Sequence, residues 1–149
     1  MPVTRRRAVR TDPGLAARRL ALFALFEDEF KPGSAVDALE RLATERDVSD
    51  EVRAHAARIV AGVAERRPDL DARIAQQAPA IPVFELGRVE RTILRSAVFE
   101  MLYSAATPSG ETIRDAVSLA RIYAGDTARR LVNGVLGSIS RSSGGGVSR

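Results

Sequence analysis

Apolar residues recur every three or four positions along almost the whole chain, and no stretch alternates apolar with polar residues for long enough to make a half-buried strand. The pattern predicts an all-α protein of about seven helices. The first, near Leu15 to Phe30, lines Leu22, Phe23, Phe26 and Phe30 along one face and adds Leu20, Ala24 and Leu25 on other sides, so it is expected to be unusually buried. Pro32-Gly33 ends it. Ser34 then stands as the N-cap of a second helix, with Asp37 near the positive helix start and Val36, Leu39, Leu42 and Ala43 as its inward stripe. After a break at Asp47 to Asp50, Val52, Ala56, Ile59, Val60 and Val63 mark a third helix, which should stop at Arg67 because the residue before Pro68 is pushed out of the helical region.

A short fourth helix, around Asp69 to Ala78, carries Leu70 and Ile74, and Pro79 and Pro82 force an extended connection after it. The fifth, from about Glu85 to Ala105, has the broadest apolar face, with Leu86, Val89, Ile93, Leu94, Ala97, Val98, Met101 and Leu102. Thr107-Pro108-Ser109-Gly110 is a turn, after which Ile113, Ala116, Val117, Ala120 and Tyr123 mark a sixth helix. Asp126 is placed to cap a seventh, with Leu131, Val132, Val135 and Ile139 facing inward. Gly134 inside it costs about 1 kcal/mol against alanine and points to close backbone approach. The helices sort into two small bundles divided near Pro79 to Pro82: a single domain over residues 15–140, with subdomains of about 15–67 and 69–140. Residues 1–14 read as a flexible basic arm, and 141–149, with Ser142-Ser143-Gly144-Gly145-Gly146, as a flexible tail.

Charge changes the picture at one end. Lys and Arg outnumber Asp and Glu by 23 to 19, a mild excess of +4. Yet Arg5, Arg6, Arg7, Arg10, Arg18 and Arg19 fall within the first nineteen residues against a lone Asp12, which concentrates positive field where an anionic partner can use it. Every basic residue except Lys31 is arginine, whose guanidinium suits bidentate phosphate contact. The apolar run Leu20 to Phe26 behind these arginines lacks the flanks of a signal peptide, since Glu27-Asp28-Glu29 closes it, and no run approaches a membrane span, so a cytoplasmic protein is expected.

Catalytic chemistry finds little support. There are no cysteines, which removes thiolate metal sites and cysteine nucleophiles. His55 is the only histidine, and no metal-ligand or triad spacing surrounds it, so it reads as an ordinary helix residue. Glu90 and Glu100 lie near Arg91 and Arg95 on the fifth helix, where local ion pairing is the ordinary account. No glycine loop is placed to cradle phosphate. No catalytic residue, metal or cofactor is expected. The basic arm, the series Arg88, Arg91 and Arg95, and the pair Arg129-Arg130 remain as candidate contacts to a nucleic acid. Phe and Tyr fall mostly on apolar faces, so affinity should lean on phosphates and be salt-sensitive.

Leu131-Val132-Asn133-Gly134-Val135-Leu136 resembles the Phe-Val-Asn-Gly-Val-Leu signature near the carboxyl end of NusB proteins. Three further strings fall in the family's order: Ala17-Arg18 followed by Ala21, Leu22, Leu25 and Phe26; Ile93-Leu94-Arg95 through Ala97 to Glu100-Met101-Leu102; and Pro108 followed by Ile113, Asp115-Ala116-Val117 and Leu119-Ala120-Arg121. The resemblance implies an all-α fold of two helical bundles and a transcription antitermination factor, linked to ribosomal RNA transcription. It would bind boxA-type single-stranded RNA together with NusE, a small-subunit ribosomal protein, and join other Nus factors on RNA polymerase. It further implies RNA contacts at Arg5, Arg6, Arg7, Arg10 and Arg18 and along Asp126, Thr127, Arg129, Arg130 and Leu131, with Phe26 and Glu90 facing NusE. The chain departs from the family pattern in placing Gly14-Leu15-Ala16 where arginines usually precede the Ala-Arg pair, and Leu131, Arg114 and Gly137 where phenylalanine, asparagine and aspartate are usual. Both a monomer and a homodimer fit this reading.

Two other classes stay in view. NusB-like domains also open certain ribosomal RNA cytosine methyltransferases, but the residues after Ser140 hold no cofactor-binding sheet and the cysteines of those enzymes are missing. A helical DNA-binding regulator would need a clear helix-turn-helix, and none is legible.

Overall fold

The computed structural model describes residues 12–78, 82–104 and 108–147. Among the described residues six α-helices follow one another: α1 (Pro13–Phe30), α2 (Ala35–Glu45), α3 (Asp50–Gln77), α4 (Arg88–Tyr103), α5 (Ser109–Ala124) and α6 (Asp126–Val147), with a 3-10 turn, Val83–Glu85, before α4. No strand occurs among the described residues.

Helix α1 begins earlier than its apolar pattern indicates because Asp12 caps it. The Asp12 carboxylate accepts from the Gly14 amide at 2.9 Å, and Pro13, which has no amide hydrogen to satisfy, takes the first helical position. Ser34 occupies the N-cap place of α2 but its hydroxyl makes no capping bond; Asp28 reaches across from α1 and accepts from the Gly33 and Ala35 amides at 2.8 and 3.2 Å. Ser49 caps α3 by accepting from Val52 at 3.1 Å. The turn before it is closed by Asp47 with φ of 52°, a left-handed conformation that aspartate tolerates better than most residues.

The expected third and fourth helices run together across a kink, one residue short of the stop expected at Arg67. The chain bends at Arg66, whose φ and ψ of −115° and 17° leave the helical region, and resumes through Pro68 to Gln77. Proline deletes one hydrogen bond and tilts the axis, and burial of Leu70 and Ile74 on the far side of the bend holds the continuation in place. At the other end, α6 runs to Val147, through much of the stretch expected to be a tail.

Helix α4 is the hub, packing against α1, α3, α5 and α6. Helices α1–α3 and α4–α6 make the two halves, but a single continuous core joins them, from Leu20, Leu22 and Leu25 through Ile59 and Val63 to Leu94, Val98, Val132, Leu136 and Ile139. The inward residues of α1 are its alanines and leucines. Its phenylalanines, read from the sequence as core, face outward: Phe23 and Phe26 are half-buried and Phe30 is 60% exposed. Val36 and Tyr123, also read as inward, are exposed as well.

At Gly62 the Phe99 ring of α4 packs directly onto the backbone of α3. A methyl group there would lie 2.2 Å from the Phe99 ring, so the absence of a side chain is what admits the ring. Gly134 does not play the close-packing part expected of it: it is exposed, and a β-carbon added there meets nothing within 4 Å.

Candidate nucleic-acid interface

Arg18 and Arg19 are neighbours on α1 with opposite surroundings. Arg18 points into the seam between α1, α4 and α5, where its guanidinium donates to Glu100 Oε1 at 2.7 Å, Asp115 Oδ2 at 2.7 Å and Glu100 Oε2 at 3.2 Å. All three side chains are at least 95% buried. Burial opposes the Arg18 charge, but the hydrogen bonds and fields of Glu100 and Asp115 outweigh it and hold its pKa above the ordinary value. Burial likewise opposes the charge on Glu100, and the bonds from His55 and Arg18 overcome it, leaving that carboxyl below the usual carboxylate range. His55 Nε2 lies 2.8 Å from Glu100 Oε2, which ties α3 into the same cluster. Arg18, expected to contact RNA, has its donors committed to the buried carboxylates of Glu100 and Asp115. Asp12, Glu111 and Asp115 bring carboxylate oxygens within 4.8 Å of one another, but Arg18 already supplies the cation there.

Two further arginines expected on the surface are also engaged. Arg91 donates to Glu29 and to the carbonyls of Phe84 (3.2 Å) and Leu86 (2.9 Å), and so fixes the turn before α4. Arg95 grips Asp71 through Nε (2.7 Å) and Nη2 (3.0 Å) and reaches Glu29 at 3.0 Å. Burial works against the charge on Glu29, yet the hydrogen bond and field of Arg91 and the field of Arg95 keep its pKa below the ordinary value. The pairing on α4 is therefore with α1 and α3, not local to the helix.

The start of α6 is open. Gly125, at φ of 97°, ends α5 by donating to the carbonyls of Ala120 and Arg121, and its glycine conformation sets the sharp entry into α6. Asp126 and Thr127 are exposed, Leu131 is half-buried, and Arg129 and Arg130 both pair with the Asp126 carboxylate, Arg129 at 2.7 Å. The hydrogen bond from Arg129, with the fields of both arginines, lowers the Asp126 pKa. Arg5, Arg6, Arg7 and Arg10 lie outside the described residues.

A separate cluster gathers at the end of α1. Phe26 and Phe30 meet edge to face at 5.1 Å, the Arg88 guanidinium lies 4.5 Å from the centre of the Phe30 ring, and Phe84, 76% exposed, projects from the turn that Arg91 secures. The Glu90 side chain folds back over Gly87, 2.3 Å from where a β-carbon would stand, at the start of α4. Phe30 was read from the sequence only as part of an inward face, and Phe84 was not singled out, because an exposed aromatic in an apolar helix or beside prolines looks the same as a buried one.

The family model described as the NusB family matches residues 15–141, almost the entire described chain. The chain belongs to the NusB family. Among curated relatives, the transcription antitermination protein NusB of Dehalococcoides mccartyi is 35% identical over 126 residues, covering 85% of this chain and 88% of that one. Among solved structures, NusB of T. maritima superposes with a TM-score of 0.81 at 26% identity, covering 88% of this chain and 92% of that one. A structure of the antitermination factors NusB and NusE in complex with dsRNA gives 0.78 at 24% identity, covering 86% and 96%. No helix among the described residues is long and apolar enough to cross a membrane.

Proposed function

We propose that the chain is a transcription antitermination factor that binds boxA-type single-stranded RNA jointly with NusE and, with other Nus factors and RNA polymerase, serves ribosomal RNA transcription in the cytoplasm. The observation that carries this is the family match across the folded part, supported by relatives named as transcription antitermination proteins and by a structural neighbour crystallised with NusE and dsRNA. The surface chemistry fits a factor that joins two partners. The arm arginines and the exposed start of α6 offer cations and amide donors to a polynucleotide, whereas Phe26, Phe30 and Phe84 beside Glu90 offer an apolar patch with a charged rim to a protein.

We read the chain as a binding module and not an enzyme, since its buried carboxylates, Glu100 and Asp115, are engaged by Arg18 and the cavity beside Arg18 and Glu100 is only about 20 Å³, room for little more than a water molecule. The test is a titration of labelled boxA-containing RNA with and without NusE at several salt concentrations. Joint binding predicts tighter RNA affinity when NusE is present, and by linkage tighter NusE affinity when RNA is present. Equal RNA affinity in both arms would reject it.

A further inference from the structure

Tyr123 stands near the end of α5, just before the exposed start of α6, and it is 40% exposed. Its ring meets Phe23 of α1 at 5.2 Å with the planes 87° apart. An edge-to-face contact of this kind fixes the tyrosine while covering at most one of its two faces. The guanidinium of Arg46, from the end of α2, lies 4.8 Å from the centre of the same Phe23 ring. Arg19 precedes Phe23 by four residues and so projects from the same side of α1. Neither Arg19 nor Arg46 pairs with a carboxylate among the described residues, unlike Arg41, Arg53, Arg129 and Arg130.

The other tyrosine is arranged differently. Tyr103 stacks on Phe99, 6.2 Å away and 19° from parallel, and the Arg66 guanidinium lies 4.1 Å from its centre, so two groups of the protein itself already lie against that ring. Phe30 is covered by Arg88 in the same manner. Tyr123 therefore combines a braced, partly exposed ring with two arginines, Arg19 and Arg46, that share its neighbour Phe23. Pro13 and Ala16, in the first turn of α1, line a surface cleft together with Arg46 and Asp47.

We propose that Tyr123, braced by Phe23 and flanked by Arg19 and Arg46, is a stacking platform for one base of single-stranded RNA. This rests on the RNA-binding reading above and adds to it an element that phosphate contact does not supply. An unpaired base presents a π-face whatever its identity, and stacking on an aromatic side chain retains it without reading its edge. The guanidinium groups neutralise the flanking phosphates. Leu131, at the start of α6, has no ring to offer, which leaves Tyr123 as the open aromatic of this region.

The chain has no tryptophan and two tyrosines, so a Tyr103→Phe protein carries Tyr123 as its sole strong ultraviolet emitter. Adding a short single-stranded RNA with a boxA element, in the presence of saturating NusE lacking tyrosine, should quench that emission as the base stacks. Tyr123→Leu keeps an apolar group against Phe23 but removes the π-face. It should weaken RNA binding by roughly fivefold to a hundredfold with the unfolding midpoint and the log-log salt slope unchanged. Tyr123→Phe should bind like the parent, and Arg46→Ala should flatten the salt slope by about 0.7. Parent-like affinity of Tyr123→Leu, or equal weakening in Tyr123→Phe, would overturn the platform while leaving RNA binding intact. Failure of the parent itself to bind the RNA would overturn both.

Discussion

Arg18 and Arg19 divide two tasks that a sequence assigns to both alike. The first joins α1 to α4 and α5 through Glu100 and Asp115, and all three groups are nearly free of solvent. Removing one partner of such a cluster leaves the others charged and uncompensated, so Arg18→Ala is expected to lower stability by about 3–5 kcal/mol, and Arg19→Ala by less than about 0.5. The acid limb of the stability curve reports on the same cluster. Glu100 has a folded pKa below its unfolded value of about 4.3, so its contribution is complete above that value and fades as the pH falls through it toward the folded pKa. Urea unfolding of the parent should therefore weaken steeply below about pH 5, and Glu100→Gln, less stable at neutral pH, should show a shallower fall, with the remaining slope owed in part to Glu29. Identical slopes in the two proteins would show that Glu100 is not held in its charged form by Arg18 and His55.

At the scale of the helix, two glycines separate what spacing can predict from what it cannot. Gly134 falls within the family-like string and looks like a close-packing site, yet it faces open space, whereas Gly62 drew no notice and is where the Phe99 ring sits. Gly134→Ala should raise the unfolding free energy by about 0.4–1 kcal/mol, since it only restricts the unfolded chain. Gly62→Ala should lower it despite the better helix propensity, and the loss should shrink when Phe99 is first shortened to leucine, a coupling that a double-mutant cycle measures. A stabilising Gly62→Ala in the parent would contradict the packing described. The same distinction covers most of the fold. Caps, prolines and three-four spacing locate helices within a few residues, because those signals are local. They do not say which way a helix apolar on every side will turn, and α1 turned its leucines in and its phenylalanines out. Nor do they foresee Arg18 with Glu100, 82 positions apart; the break before Pro68 they do mark, and the chain kinks there, at Arg66.

For the molecule as a whole, α1 carries both candidate surfaces within one helical turn: Phe23 belongs with Tyr123 and Arg46, Phe26 with Phe30 and Arg88. Arg18 locks the first half of that helix to α4 and α5, and Glu29 locks its end to α4 through Arg91 and Arg95, with Arg95 continuing to Asp71 on α3. A helix clamped at both ends offers its two sides as parts of one rigid body, so the joint binding proposed for RNA and NusE would require no rearrangement of the fold; one partner, once docked, would extend the surface available to the other. Charge reversal on the second surface separates the two partners. Glu90→Arg, half-buried at the start of α4 and away from the Tyr123 platform, should weaken NusE capture by tenfold or more, an order of magnitude set by the cost of unfavourable charge at an interface. RNA affinity measured without NusE should stay within about twofold of the parent, and the gain on adding NusE should vanish, because coupling is reciprocal and cannot outlive the docking that transmits it. Full NusE capture by Glu90→Arg would move the protein partner to another face, while loss of NusE-independent RNA binding would mean that α4 takes part in both contacts.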